Sequence, residues 1–216
     1  MPEPVHIAAI DAGSNAVCLS VARAYSALDI ETLHDERYSL RLGEGVFLRH
    51  RFSEKLFKKG VKAFRHFKET MDEFGVTKYR AVATSASREA RNRDAFIRTI
   101  RQKSGISLEV ISATEESRLG REAVFAALGP EAPPRCIIDL GGGSLEISIL
   151  RDRAIEQSAH LGVGTVRLMT TLKLPGVISP SQAEQVRKYV RALLESKLPN
   201  RPNLGEQIAV ALGGNA

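Results

Sequence analysis

IIDLGGGSLEISIL, residues 137–150, places Asp139 near the end of one apolar run, follows it with Gly141, Gly142, Gly143 and Ser144, and then resumes an apolar run. Three successive glycines weaken a strand or helix interior, because glycine gives up the most conformational freedom on folding. The stretch is either a tight hairpin turn or a loop whose amides close on an anion. A second copy favours the anion loop. Residues 10–20 read IDAGSNAVCLS, and Ile10-Asp11-x-Gly13 aligns with Ile138-Asp139-x-Gly141, each ending one apolar strand and opening another. The recurrence predicts two similarly built α/β lobes, each offering an aspartate and a Gly/Ser turn to one shared ligand.

The rest of the chain can be laid around these two turns. Residues 5–11, 17–23 and 29–41 read as strands. Ser53 caps a helix to Phe74, with Leu56, Phe57, Val61, Phe64, Phe67 and Met71 at three- and four-residue steps and Gly75 as its stop. YRAVAT is a strand, 95–103 a helix, SLEVI a strand and 114–128 a helix. Three prolines in 129–135 mark the passage into the second lobe, so the lobes are expected at 1–128 and 129–216. The second lobe adds a strand at 154–160, a helix after LGVGT, and a long helix to Leu198 opened by Ser179, Pro180 and Gln182 in capping-box spacing. QIAVALGGNA is a strand running into a further Gly turn, and the second lobe reads as truncated there.

Composition excludes several classes. At 216 residues, 43% hydrophobic and 26% charged, the chain is neither disordered nor fibrous. Its N-terminus lacks a secretory pattern and no apolar stretch approaches a membrane span, so a cytoplasmic protein without a membrane partner is expected. Cys18 and Cys136 lie in apolar strands and predict neither a disulfide nor a zinc site. The net charge of +6 favours an anionic partner. Residues 49–68 concentrate it, with Arg49, Arg51, Lys55, Lys58, Lys59, Lys62, Arg65 and Lys68 against Glu54 alone. That run is a solvated helix face or a positively charged approach for a polyanion.

Five motifs in order, IDAGSNAVCLSVAR, ATSASREARN, ISATEESRLG, IIDLGGGSLEISIL with HLGVGTVRL, and ALGGNA, make the chain resemble the exopolyphosphatase and guanosine-pentaphosphate phosphatase family. The resemblance implies two ribonuclease H-like lobes of the actin/Hsp70/sugar-kinase type. It implies a phosphohydrolase that releases terminal orthophosphate from polyphosphate or the 5′-terminal phosphate of pppGpp. Three departures stand out: Leu145 replaces a usual threonine, Ala16 a common serine, and Cys18 a polar or basic residue. A kinase or ATPase of the same fold and a non-catalytic phosphate-binding module remain the alternatives.

Hydrolysis of a terminal phosphoryl group needs charge neutralisation, a divalent ion and a positioned water. Gly13, Ser14 and Asn15, with Gly141, Gly142, Gly143 and Ser144, are the expected phosphate cradle. Asp139 and Glu146, with Asp11 as a third, are hard oxygen ligands suited to Mg2+. The five histidines have no metal-motif spacing and read as structural or surface groups. The resemblance places Arg88 on a phosphate. Glu115 has capping-box spacing from Ser112, which leaves Glu116 to activate water, the position that also matches the family's catalytic glutamate. The expected partner is polyphosphate or pppGpp, with no specific nucleic acid, and a homodimer is left open.

Overall fold

The computed structural model of the chain describes residues 3–27, 29–129, 133–198 and 207–213. The chain divides into two units, Met1–Ala113 and Thr114–Ala216. The division falls ahead of the helix that carries Glu116, so that helix groups with the second unit, whereas the prolines had suggested a passage at 129.

In the first unit, β1 (Val5–Ala12), β2 (Val17–Ala24) and β3 (Ile30–Tyr38) form an antiparallel meander. β4 (Lys78–Ala83) and the two-residue β5 (Glu109–Val110) then add parallel to β1, giving the order β3-β2-β1-β4-β5. Two helices, α2 (Glu54–Glu73) and α4 (Arg93–Ser104), carry the apolar stripes that cover this sheet. Ser53 caps α2 by accepting from the Leu56 amide at 3.3 Å. Phe64, Phe67 and Phe96 are fully buried, each contributing about 2 kcal/mol of apolar burial. α2 and α4 approach closely at Gly60, where a Cβ would lie 2.8 Å from the Phe96 ring. α4 ends at Gly105, whose φ of +79° is the left-handed conformation that closes a helix.

Two short helices depart from the sequence reading. α1 (Gly43–Arg49) was not anticipated, because Gly43 and Gly45 lower its helix propensity; buried Val46 and Phe47 hold it in place. α3 (Ser85–Glu89) stands between the YRAVAT strand and the helix read at 95–103, where no helix was read. The SLEVI strand shrinks to β5, since only Glu109 and Val110 reach partners on β4.

The second unit repeats the opening of the first. β6 (Cys136–Leu140), β7 (Leu145–Arg151) and β8 (Ala154–Leu161) form the meander, and β9 (Ala209–Leu212) lies parallel to β6. The order is β8-β7-β6-β9. α5 (Ala113–Leu128) packs one face, where Val124 and Phe125 meet Ile137, Leu150, Val210 and Leu212. On the opposite face, α6 (Thr165–Thr171) and α7 (Pro180–Lys197) bring Leu168, Leu193 and Leu194 to Leu145, Ala159 and Leu161. α7 starts with the anticipated capping box: Ser179 accepts from the Gln182 amide and the Gln182 side chain accepts from the Ser179 amide. Among the described residues no helix is long and apolar enough to cross a membrane. Part of the proline passage, 130–132, and the last Gly turn beyond Gly213 lie outside the described residues.

Candidate active site

Strand alternation decides which groups meet in the second unit. Ile137 packs against α5, so Asp139, two residues on, faces α5 as well. Glu116, Gly120 and Val124 follow one another at four-residue steps along that helix and line the same face. At Gly120 the absent side chain lets the helix close in; a Cβ there would sit 3.7 Å from Asp139 Oδ2. Across the sheet, Asp139 pairs with Glu146 and Glu146 with His160. One row of the sheet thus presents two carboxylates and an imidazole beside the first turns of α5.

The electrostatics of that row are uneven. Burial, reinforced by the negative charges of Glu116 and Glu146, pushes the Asp139 carboxyl above its ordinary value. Burial alone would raise Glu146 too, but His160, the Ser117 hydroxyl and the Arg121 charge outweigh it and hold that carboxyl low. His160 Nδ1 lies 4.0 Å from Glu146 Oε2, a longer separation than a hydrogen bond. Arg121 Nη1 donates to Ser117 Oγ at 2.5 Å, which fixes the hydroxyl beside Glu146.

A carboxyl with a raised folded-state pKa binds its proton more tightly in the folded chain than in the unfolded one. Its ionisation therefore lowers stability as pH rises above the ordinary aspartate range. We expect Asp139→Asn to raise the melting temperature at pH 7, by about 1 kcal/mol in stability, and to leave it nearly unchanged near about pH 3, where both side chains are neutral. Circular dichroism melts at the two pH values check this. Equal melting temperatures at pH 7 would contradict the repulsion.

The glycine loop is held from α6. Gly141 N–H donates to Ser144 O at 2.9 Å and closes the turn, so the Gly141 amide is engaged within the loop itself. The Gly141 and Gly142 carbonyls accept from the Thr165 and Arg167 amides at 3.1 and 3.0 Å, and the Gly143 carbonyl accepts from Arg167 Nε at 2.6 Å. With these carbonyls turned to α6, the Gly142 and Gly143 amides bond to no backbone group among the described residues. Leu145 belongs to the core on the α6 and α7 side, and alternation puts it opposite Glu146. Its replacement of a threonine therefore takes no hydroxyl from the carboxylate row.

Glu115 and Glu116 diverge in the structure. Arg118 grips Glu115 with two parallel bonds, Nε to Oε2 at 2.8 Å and Nη2 to Oε1 at 2.9 Å, and donates Nη1 to Glu122 at 2.5 Å. Glu116 lies one residue on, close enough to Asp139 to raise its pKa.

In the first unit, Asp11 lies next to the end of β1, paired with Cys18. Burial, followed by the Asp11 charge, raises the Cys18 thiol, and Cys18 and Cys136 are both free thiols. The Ser14 hydroxyl is buried and accepts from the Ala86 amide at 3.1 Å, tying the loop to α3. Ser14 and Asn15 carbonyls accept from the Gly43 and Arg41 amides at 2.8 Å each. The Ser14 hydroxyl thus anchors the loop as an acceptor and keeps its own O–H as a donor. Arg88, half-buried on α3, donates Nη1 to Ile111 O at 3.1 Å.

Among the described residues no three His, Cys, Asp or Glu side chains gather into a metal-binding group. Magnesium commonly takes one or two carboxylates and keeps its waters. A half-buried aspartate under repulsion from two glutamates fits that demand, so Asp139 is the residue suited to hold such an ion, with Glu146 beside it.

Residues 20–214 match the sequence profile described as the Ppx/GppA phosphatase family. The chain belongs to this family. Exopolyphosphatase 2 of Mycobacterium tuberculosis is 32% identical over 204 residues, covering 91% of this chain and 64% of that protein. The chain therefore spans just under two thirds of the curated relative it matches. Among Ppx/GppA structures, that of the Aquifex aeolicus PPX-GPPA enzyme superposes with a TM-score of 0.76 at 28% identity, over 98% of this chain and 68% of that one. An exopolyphosphatase-like protein reaches a TM-score of 0.82 at 26% identity, over 98% and 66%. The expected fold, α/β with two sheets of the actin-like type, is the one observed.

Sequence reasoning missed Ser117, Arg121, His160 and Arg167. The HLGVGTVRL motif contains His160 and Arg167, but only the β7–β8 register sets His160 beside Glu146 and only the α6 turn brings Arg167 to the Gly143 carbonyl. Ser117 and Arg121 are four residues apart on α5, a helical spacing that could have paired them.

Proposed function

We propose that this protein hydrolyses the terminal phosphoanhydride of a phosphate chain and releases orthophosphate, with inorganic polyphosphate as substrate and the 5′-terminal phosphate of pppGpp as the alternative of the same chemistry. The observation that carries the proposal is the convergence of Glu116 and Asp139 beside a glycine loop whose carbonyls are tied back to α6. Family membership supports it. In this reading the Gly142 and Gly143 amides donate to phosphate oxygens, while Glu116 orients a water and takes its proton as the water oxygen bonds to phosphorus. The bond from phosphorus to the bridging oxygen breaks, and that oxygen leaves on the shortened chain. Asp139 would hold a divalent ion, which when bound would supply charge neutralisation on the phosphate oxygens. Glu146 stays ionised through His160, Ser117 and Arg121. In the first unit, taken by itself, the Gly13 and Asn15 backbone, the Ser14 hydroxyl and the Arg88 guanidinium are the proposed phosphate contacts, and Asp11 the proposed carboxylate for a divalent ion.

The test is orthophosphate release from polyphosphate and from pppGpp, with magnesium and with a chelator, by this chain and by a form of the full length of its relatives. Release that requires magnesium supports the proposal; no release from either substrate by either form overturns it.

The basic run adds a prediction on substrate length. Lys55, Lys58, Lys59 and Lys62 are exposed on α2, whereas Arg65 donates to the Lys103 carbonyl and Lys68 pairs with Asp72. Added salt is expected to lower activity on long polyphosphate more steeply than on tripolyphosphate, because more charges are screened. Replacing Lys58, Lys59 and Lys62 by Gln reproduces that pattern at low salt. Equal effects on long and short chains return the run to a solvated face.

A further inference from the structure

A cavity of about 550 Å³ opens at the end of the second sheet remote from the glycine loop. Its position follows from the topology. Arg135 precedes β6, Ile208 precedes the parallel β9, and Arg151 ends the antiparallel β7, so all three gather where β6 begins, whereas Gly141–Ser144 lie where it ends. The five residues of β6 separate the two ends by roughly 15 Å. The cavity is therefore separate from the glycine loop of the candidate active site.

Its walls combine three guanidinium groups with an apolar side. Arg135, Arg151 and Arg153 line it together with Pro134, Leu150 and Ile208. Asp152 and Arg153, with φ of 51° and 67°, make the two-residue turn of the β7–β8 hairpin and set Arg151 and Arg153 on either side of Asp152. Arg153 is steadied over the Phe125 ring at 4.3 Å. Glu156 accepts from Arg135 Nη2 at 2.5 Å and from Arg151 Nη2 at 2.6 Å, which orients both guanidinia. Against three arginines stand two carboxylates, Glu156 and Asp152, so the cluster is net positive.

Among the described residues one donor in this cluster has no partner: Arg135 Nη1 is buried and makes no hydrogen bond to them, although Nη2 of the same group is paired. Buried donors in folded proteins are almost always satisfied, and those that are not mark an ion, a water or a ligand. A planar guanidinium held by one edge presents its other donors in the geometry that matches phosphoryl oxygens. From the cavity, the oriented arginines and the bare Nη1, we infer that this end of the second unit is a binding site for a ligand with adjacent phosphoryl groups, distinct from the hydrolytic centre. The apolar wall admits a nucleotide, and the arginines alone suffice for an inorganic chain.

Titrating the chain with tripolyphosphate and, separately, with ADP at constant ionic strength tests this, read by amide shifts in NMR and by calorimetry. Shifts at Arg135, Leu150 to Arg153, Gln207 and Ile208 are expected, and Arg135→Gln is expected to weaken binding by about tenfold. Because losing Arg135 leaves Glu156 with one fewer partner, Arg151→Gln, at an exposed side chain, serves as the second variant, with a weakening in the same direction. Tighter binding of ADP identifies a nucleotide site on the apolar wall; tighter binding of tripolyphosphate identifies an inorganic one. Shifts confined to Gly141–Ser144, no shift at millimolar ligand, or an equal response to sulfate overturns the inference.

Discussion

Glu116→Gln is expected to lower orthophosphate release by about 10²-fold or more while leaving phosphate-chain binding largely intact. The reasoning rests on what the substitution preserves. Gln fills the same volume, so the close approach of α5 to β6 at Gly120 is undisturbed. What it removes is the capacity to accept a proton from the attacking water, and with it one of the two charges that press on Asp139. Glu115→Gln is the matched control one residue away. Its carboxylate is gripped by Arg118 through two bonds, and Gln keeps one acceptor for that guanidinium. Glu115→Gln should therefore alter turnover only mildly. Orthophosphate release and polyphosphate binding, measured for both variants in the longest active form, separate the roles. Loss of turnover in Glu115→Gln alone would move the assignment by one residue.

Much of the architecture was legible because its signals are periodic and local. The two Asp-x-Gly turns, the Ser53 cap and the Ser179 capping box each rest on residues within a few positions of one another, and each appears where expected. Interactions that depend on distant segments were less legible. β5 shortened because pairing with β4, rather than its own sequence, sets its length. The helix 113–128 groups with the second unit because its Val124 and Phe125 find their apolar partners on β6, β7 and β9. The same distinction runs through the candidate site. Asp139 and Glu146 stood out as acids flanking a glycine run, whereas His160 enters only through the β7–β8 register and Arg121 through its charge and a hydroxyl one helical turn away. Ser14 stood out by its place in a Gly-Ser-Asn turn, but the bond its hydroxyl accepts from the Ala86 amide, 72 residues further along the chain, was not legible there.

Gly164→Ala is expected to destabilise the chain by about 3 kcal/mol, lowering its melting temperature by roughly 6–12 °C, and to depress phosphate binding at the glycine loop. Gly164 has φ −150° and ψ 167°, an extended conformation open to any residue, so the cost is steric rather than conformational. A Cβ there would lie 2.5 Å from Gly142 C and Gly143 N and 2.6 Å from Gly142 O. These are backbone atoms, which cannot swing aside as a side chain can. Either α6 or the loop has to move, and three bonds join them: Thr165 N–H to Gly141 O, Arg167 N–H to Gly142 O, and Arg167 Nε to Gly143 O. Displacement lengthens these bonds and releases the carbonyls that now turn away from the proposed anion site. Gly162→Ala supplies the control two residues upstream, since nothing lies within 4 Å of a Cβ at that position. Its melting temperature should stay close to that of the unaltered chain. Circular dichroism melts of both variants, followed by phosphate titration of whichever remains folded, decide the matter. If Gly164→Ala melts with Gly162→Ala, the close approach of α6 to the loop does not constrain the fold, and the argument that α6 sets the direction of the loop amides fails with it.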